Sequence, residues 1–116
     1  MRRTHFLTVL LLAMFALSLP VISAPKEKDS KADVQRKARQ QMARMRKIMA
    51  LNSQAIEEFK AGRFDACRGK LEAILKIDPK NDIAHYNLAC LYSRREKYAK
   101  AIDELNTAVN NGYMSF

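Results

Sequence analysis

Tryptophan is absent from this chain of 116 residues, which holds only three glycines, three prolines, two cysteines and two histidines. So few turn-formers exclude a strand-and-hairpin architecture, which needs such residues at each tight turn. With six methionines present, the composition suits an all-helical protein. Two cysteines permit at most one internal bridge, which excludes a disulfide scaffold. There is no Cys-x-x-Cys and no chelating cluster. His85 and Cys90 stand five apart and diverge on a helix, so no metal or cofactor is expected. Catalysis lacks its parts as well. The other histidine is His5, Glu57-Glu58 and Asp103-Glu104 diverge on helices, and no glycine-rich phosphate loop occurs. We expect no enzyme.

Positive charge is plentiful, at a formal +9, and its distribution decides what it means. Residues 1–25 carry +2, residues 26–47 carry +6, and residues 48–116 carry only +1. The basicity belongs to the first segments and not to the body of the chain, so nucleic-acid binding is not expected.

Arg2 and Arg3 precede an apolar run from Phe6 to Leu19, interrupted only by Thr8 and Ser18. Pro20 then breaks any helix, and Val21-Ile22-Ser23-Ala24 offers small residues to a peptidase. A basic head, an apolar middle and a small-residue exit make an export signal. The run is shorter than the ~20 residues that span a bilayer as a permanent helix. Residues 1–24 are therefore expected to be a signal peptide, and the mature chain to be secreted or periplasmic. An uncleaved membrane anchor is the alternative. Export permits a Cys67–Cys90 bridge, but the helical register favours two small packed thiols.

From Pro25 the chain is polar without apolar anchors, so residues 25–32 read as a flexible tether. Helix is expected to begin near Ser30 or Asp33, and no glycine or proline interrupts the chain from there to Ala61. Residues 33–47 form a basic amphipathic helix, in which Val34, Ala38, Met42, Met45 and Met49 make one stripe. Arg36, Lys37, Arg39, Arg44, Arg46 and Lys47 sit between them. The stripe is expected to pack on the next helices or on a second copy of the chain. Contact with anionic lipid or an acidic polymer through residues 33–47 is the alternative, weakened by the lack of an aromatic anchor.

The remainder is organised around His85-x2-Leu88-Ala89-x2-Tyr92 followed by Ala101-x3-Leu105. Thirty-four residues earlier a weaker copy runs through Leu51, Ala55, Gly62, Phe64, Cys67 and Leu71 to Asp78-Pro79. Gly62 is suited to a left-handed helix end, and the residue before Pro79 is pushed out of helix. Asn81 or Asp82 then caps the next helix. This pattern resembles the tetratricopeptide repeat, whose period is ~34 residues. The resemblance implies an all-α fold of two tandem helix-turn-helix hairpins, a short α-solenoid behind a long N-terminal helix. Repeat 1 covers residues 48–81 and repeat 2 residues 82–115. Small Ala55, Cys67, Ala89 and Ala101 would let paired helices approach, with Phe64, Leu71, Tyr92, Tyr98 and Leu105 filling the space between. Glu58, Gln54 and Ile74 depart from the family pattern. His85 replaces a bulky aromatic and reads as a packed histidine.

The resemblance also implies function, because the first helix of each such repeat lines a concave surface that holds a peptide or a partner helix. Here those positions are Asn52, Ile56 and Lys60, then Tyr86, Asn87, Cys90 and Arg94. Asparagine amides would bond a peptide backbone, Ile56 and Tyr86 would give apolar contact, and Lys60 and Arg94 would attract carboxylates. The carboxylate clamp of the chaperone-binding subset is not expected, since Asn52 and Ile56 occupy its positions. A homo-oligomer built from the methionine-rich helix and the apolar Tyr113-Met114-Ser115-Phe116 end is the competing expectation. N-terminal sequencing of the exported chain should find Ala24 or Pro25 first, from cleavage after Ser23 or Ala24. An intact Met1 would select the anchor instead.

Overall fold

The computed structural model describes Pro20 and residues 27–114, and the side chains of the long first helix from Ser30 onward. The leader apart from Pro20 lies outside the described residues, as do Ser115 and Phe116. Among the described residues no helix is long and apolar enough to cross a membrane. Two compact units divide the chain, Met1–Gln35 and Arg36–Phe116. The first holds the opening turns of α1 (Glu27–Lys60). The second holds the remainder of α1 together with α2 (Phe64–Ile77), α3 (Asp82–Arg94) and α4 (Tyr98–Asn110).

Helix α1 begins at Glu27, so most of the tether expected over residues 25–32 is helical. The reason is local. No glycine or proline follows Pro25 there, and Glu27, Lys28, Lys31 and Ala32 all favour helix. The uninterrupted run to Lys60 agrees with the sequence. The methionine stripe is not buried against the repeats: Met42, Met45 and Met49 are all more than half exposed.

Three helix ends share one device. Gly62, Glu96 and Gly112 take positive φ of 75°, 60° and 105°. At each end the next amide reaches back across the turn, Arg63 to the Glu58 carbonyl, Lys97 to Tyr92 and Tyr113 to Ala108. The left-handed residue itself bonds three back, to Phe59, Ser93 and Val109 respectively. This is the Schellman closure. Glu96 stands where the first repeat has Gly62, and a side chain there strains the backbone. The start of α3 is fixed by Asn81, whose Oδ1 accepts the Ala84 amide at 2.9 Å while its Nδ2 donates to Asp78.

The core is drawn from three helices. Ala55 of α1, Cys67, Leu71 and Ile74 of α2, and Ala84, Leu88 and Leu91 of α3 are buried together, flanked by Ile48, Leu51, Phe59, Phe64, Leu75 and Tyr92. Helix α4 then covers the other side of α3, where Ala89 of α3 and Ala101 and Ala108 of α4 are buried. Alanine at these positions lets α3 and α4 approach closely. The first hairpin carries the bulkier Cys67 and Ile74 where the second has Ala101 and Ala108.

Two residues expected inside are outside. Tyr98 is 61% and Leu105 42% exposed, whereas Leu71, the counterpart of Leu105 one repeat earlier, is sealed at 0%. Leu71 has α3 laid over it, and among the described residues no helix covers Leu105. Tyr98, Ile102, Leu105 and Val109 thus form an open apolar line along α4. The departures of repeat 1 also have physical reasons. Gln54 lies exposed because no repeat helix precedes it among the described residues. Glu58 occupies the place of Tyr92 and is bonded by Arg63 from the following turn. That guanidinium holds the Glu58 carboxyl below the usual carboxylate range.

Two comparisons within the repeat check these assignments. Leu71→Ala should cost about 2–5 kcal/mol in urea unfolding and Leu105→Ala less than about 1 kcal/mol. Glu96→Gly should stabilise by about 0.5–1 kcal/mol, and Gly62→Ala should destabilise by about 1 kcal/mol.

Candidate functional site

One side of α1 and one side of α3 face a shared hollow, and the residues expected there are distributed unequally. Asn87 Nδ2 on α3 donates to Asn52 Oδ1 on α1 at 2.9 Å. Each amide can make further bonds, so the pair retains a donor on Asn52 and an acceptor on Asn87. Those two groups complement one peptide unit, and the statement survives if both amides are flipped. Next to this pair lies an apolar cavity of about 190 Å³, lined by Ala55, Ile56, Phe59, Cys67, Leu71, Asn87 and Cys90.

Tyr86, Cys90 and Arg94 line a second, wider hollow of about 720 Å³ toward α4, together with Phe59, Ala89, Tyr98, Ala101, Ile102 and Leu105. Phe59 and Cys90 border both. Lys60 lines neither hollow; it is exposed and stands 3.9 Å from Glu57. Six of the seven expected residues therefore gather around Asn87 and the two hollows, and Lys60 lies apart.

Tyr86 is less available than its sequence position implies. Its ring stacks on Tyr113, with centroids 4.2 Å apart and planes within 13°. Hydrogen bonding with the Cys90 thiol, and then with Tyr113, pushes its phenol pKa up to about 12. The group therefore stays protonated, a hydrogen-bond donor with one ring face already covered. Of the apolar end, the described residues are Tyr113 and Met114. Tyr113 folds onto α3 and Met114 remains 74% exposed.

His85 is a structural residue. Glu104 Oε2 on α4 lies 2.6 Å from its Nδ1, and the Pro79 carbonyl lies 3.1 Å from its Nε2. Both ring nitrogens are thereby tied to the fold, one linking α3 to α4 and the other closing the loop before α3. Among the described residues no three His, Cys, Asp or Glu side chains gather as metal ligands would. Cys67 and Cys90 are free thiols. Burial, with a smaller contribution from the Glu58 charge, pushes the Cys67 thiol up.

Sequence reasoning missed Phe59 and Ile102, and it gave Tyr98 and Leu105 to the packing between helices and Tyr113 to an oligomer-forming end. Phe59 carries a usable signal, since it falls three residues after Ile56 on a helix otherwise polar around it. The α4 line has the spacing four, three, four, which marks a face without saying whether anything covers it.

The two thiols should differ in reactivity. Iodoacetamide at neutral pH should modify half-buried Cys90 first and leave Cys67 largely intact until the chain is unfolded, as read by mass spectrometry of the labelled peptides.

Comparison with known proteins bears on the helical frame of this site. No curated protein and no solved structure gives a match. Residues 70–103 match the family model of the tetratricopeptide repeat, a window one repeat long at ~34 residues. It takes in the later part of α2, all of α3 and the opening of α4. This chain carries a tetratricopeptide repeat.

Proposed function

We propose that the chain is an exported, non-catalytic interaction module that binds a peptide or a partner helix on the face shared by α1 and α3. The observation that carries this reading is the Asn52–Asn87 bond at 2.9 Å beside the apolar cavity. A hydrogen-bonding pair for backbone next to a pocket for a side chain is the minimum that peptide recognition requires. Tetratricopeptide repeats generally serve protein–protein interaction, and the all-helical frame suits that role. Arg94, exposed on the rim of the wider hollow, supplies positive charge for a ligand carboxylate. Export rests on Arg2, Arg3 and the apolar run after them.

A second reading has its own observation. The open line of Tyr98, Ile102, Leu105 and Val109 on α4 suits self-assembly, in which copies cover one another's exposed faces. Sedimentation separates the two, because the interaction module stays monomeric at concentrations where an assembling chain does not.

Selection from a displayed peptide library tests the first reading. Enriched peptides should lose about tenfold or more in affinity to Ile56→Arg and Asn87→Ala variants and bind Lys80→Ala unchanged. Enrichment that ignores both Ile56→Arg and Asn87→Ala, or no enrichment at all, would reject the concave face as the site.

A further inference from the structure

The methionine stripe and the concave face belong to the same line. From Ala38 the chain steps four, three, four, three, four and four residues through Met42, Met45, Met49, Asn52 and Ile56 to Lys60. That is the rhythm of one face on a helix of ~3.6 residues per turn. Helix α1 is unbroken across it. Met42, Met45, Met49 and Ile56 are 54%, 53%, 66% and 40% exposed. The surface that lines the apolar cavity at Ile56 therefore continues without a break along α1, away from the repeats.

The charges that α1 itself brings to this face have one sign, and Asp78, just past the end of α2, borders it in a hollow shared with Lys37, Arg44 and Met45. Between Asp33 and Glu57 the chain holds Arg36, Lys37, Arg39, Arg44, Arg46 and Lys47 and no carboxylate. Arg39 and Arg46 lie about 90° to one side of the stripe, and Lys37 and Arg44 about 110° to the other. Arg44 additionally donates to the Ile77 carbonyl at 2.5 Å, at the end of α2, which fixes its position beside the stripe.

We propose that this continuous face docks an acidic amphipathic helix from a partner protein, seated along Met42–Ile56 and anchored by one apolar side chain in the cavity. The proposal rests on the peptide-binding reading above and names the chemistry of its ligand. Fourteen steps of α1 give about 21 Å of contact, enough for a partner helix of about four turns. Methionine suits the task, because its flexible thioether adapts to apolar ridges of different shape. Helix-in-groove binding uses such a stripe against anchors at i, i+3, i+4 and i+7. The cavity matches an anchor in size. An apolar cavity of about 150 Å³ holds benzene, and this one measures about 190 Å³, so a Leu or Phe side chain enters it.

Charge and shape select this occupant over the others. A second copy of α1 would bring the same cations against the same cations, which like-charge repulsion opposes. An anionic bilayer would meet a stripe one side chain wide without an aromatic anchor, a poor fit to an interfacial helix.

Fluorescence anisotropy on the full chain tests the proposal. The probe is a labelled helical peptide of about 20 residues with Leu at i, i+3, i+4 and i+7 and Glu on both flanks. It should bind, weaken with added salt, and lose about tenfold or more in affinity to a Met42→Gln/Met45→Gln variant and, separately, to Ile56→Gln. Both methionines are exposed, so circular dichroism of the variant should match the parent. Equal binding of a peptide with Lys in place of Glu would overturn the proposal. If Ile56→Gln weakens binding and the methionine variant does not, the peptide groove stands and its extension along α1 fails. If the peptide does not bind while phosphatidylglycerol vesicles do, or if the chain dimerises through the methionine face, the acidic helix is the wrong occupant.

Discussion

Among the described residues, Leu71 and Ile74 on α2 and Leu91 on α3 are the largest side chains fully removed from water, and the rest of the fold depends on their packing. Each contributes about 1.5–3 kcal/mol by leaving water. They bring α3 against α2, and Ala55 on α1 completes the cluster. Once that seam is closed, α3 has one side committed to the core and its opposite side free for α4. Its remaining edge, with Tyr86, Asn87, Cys90 and Arg94, lies beside α1. The binding face is thus a consequence of core packing: residues on two helices far apart in sequence become neighbours because Leu71, Ala84, Leu88 and Leu91 must be dry. The wider hollow forms for a related reason. Helix α4 touches α3 through Ala101 and Ala108, and its larger Tyr98, Ile102 and Leu105 lie to one side of that contact, where they line the hollow.

Much of this arrangement was legible in the sequence. Gly62 marked a left-handed helix end, Asp78-Pro79 marked the close of α2, and Asn81 was one of two caps anticipated for α3. These features are decided by one or two residues and their own backbone, so spacing alone reveals them. Burial was less legible. The repeat pattern places Leu71 and Leu105 at equivalent points, yet one is sealed and the other open, because exposure depends on a neighbour that the residue's own spacing does not encode. Glu96 escaped notice for a different reason. Its left-handed backbone is imposed by the Schellman closure at that turn, and glutamate gives no local sign of it.

The candidate site was legible residue by residue and illegible as an arrangement. The asparagines were anticipated as separate ligand contacts, and the structure joins Asn52 to Asn87 before any ligand arrives. Tyr86 was anticipated as an open apolar contact, and Tyr113 covers one side of it. Both corrections involve partners more than twenty residues away, beyond what periodicity can report. Continuity of the methionine stripe with Ile56 was, by contrast, present in the sequence all along. The unbroken α1 was expected too, and what the structure adds is the exposure of the stripe and the cavity at Ile56 that it leads into.

The central claim is that α1 and α3 are held side by side as one recognition face. A double-mutant cycle with Asn52→Ala and Asn87→Ala, read by urea unfolding, measures that link most directly. The account predicts a coupling of about 0.5–1.5 kcal/mol, the worth of a hydrogen bond lost once and not twice. Effects that simply add, to within about 0.3 kcal/mol, would mean that the two amides do not meet in solution and that the shared face is not formed.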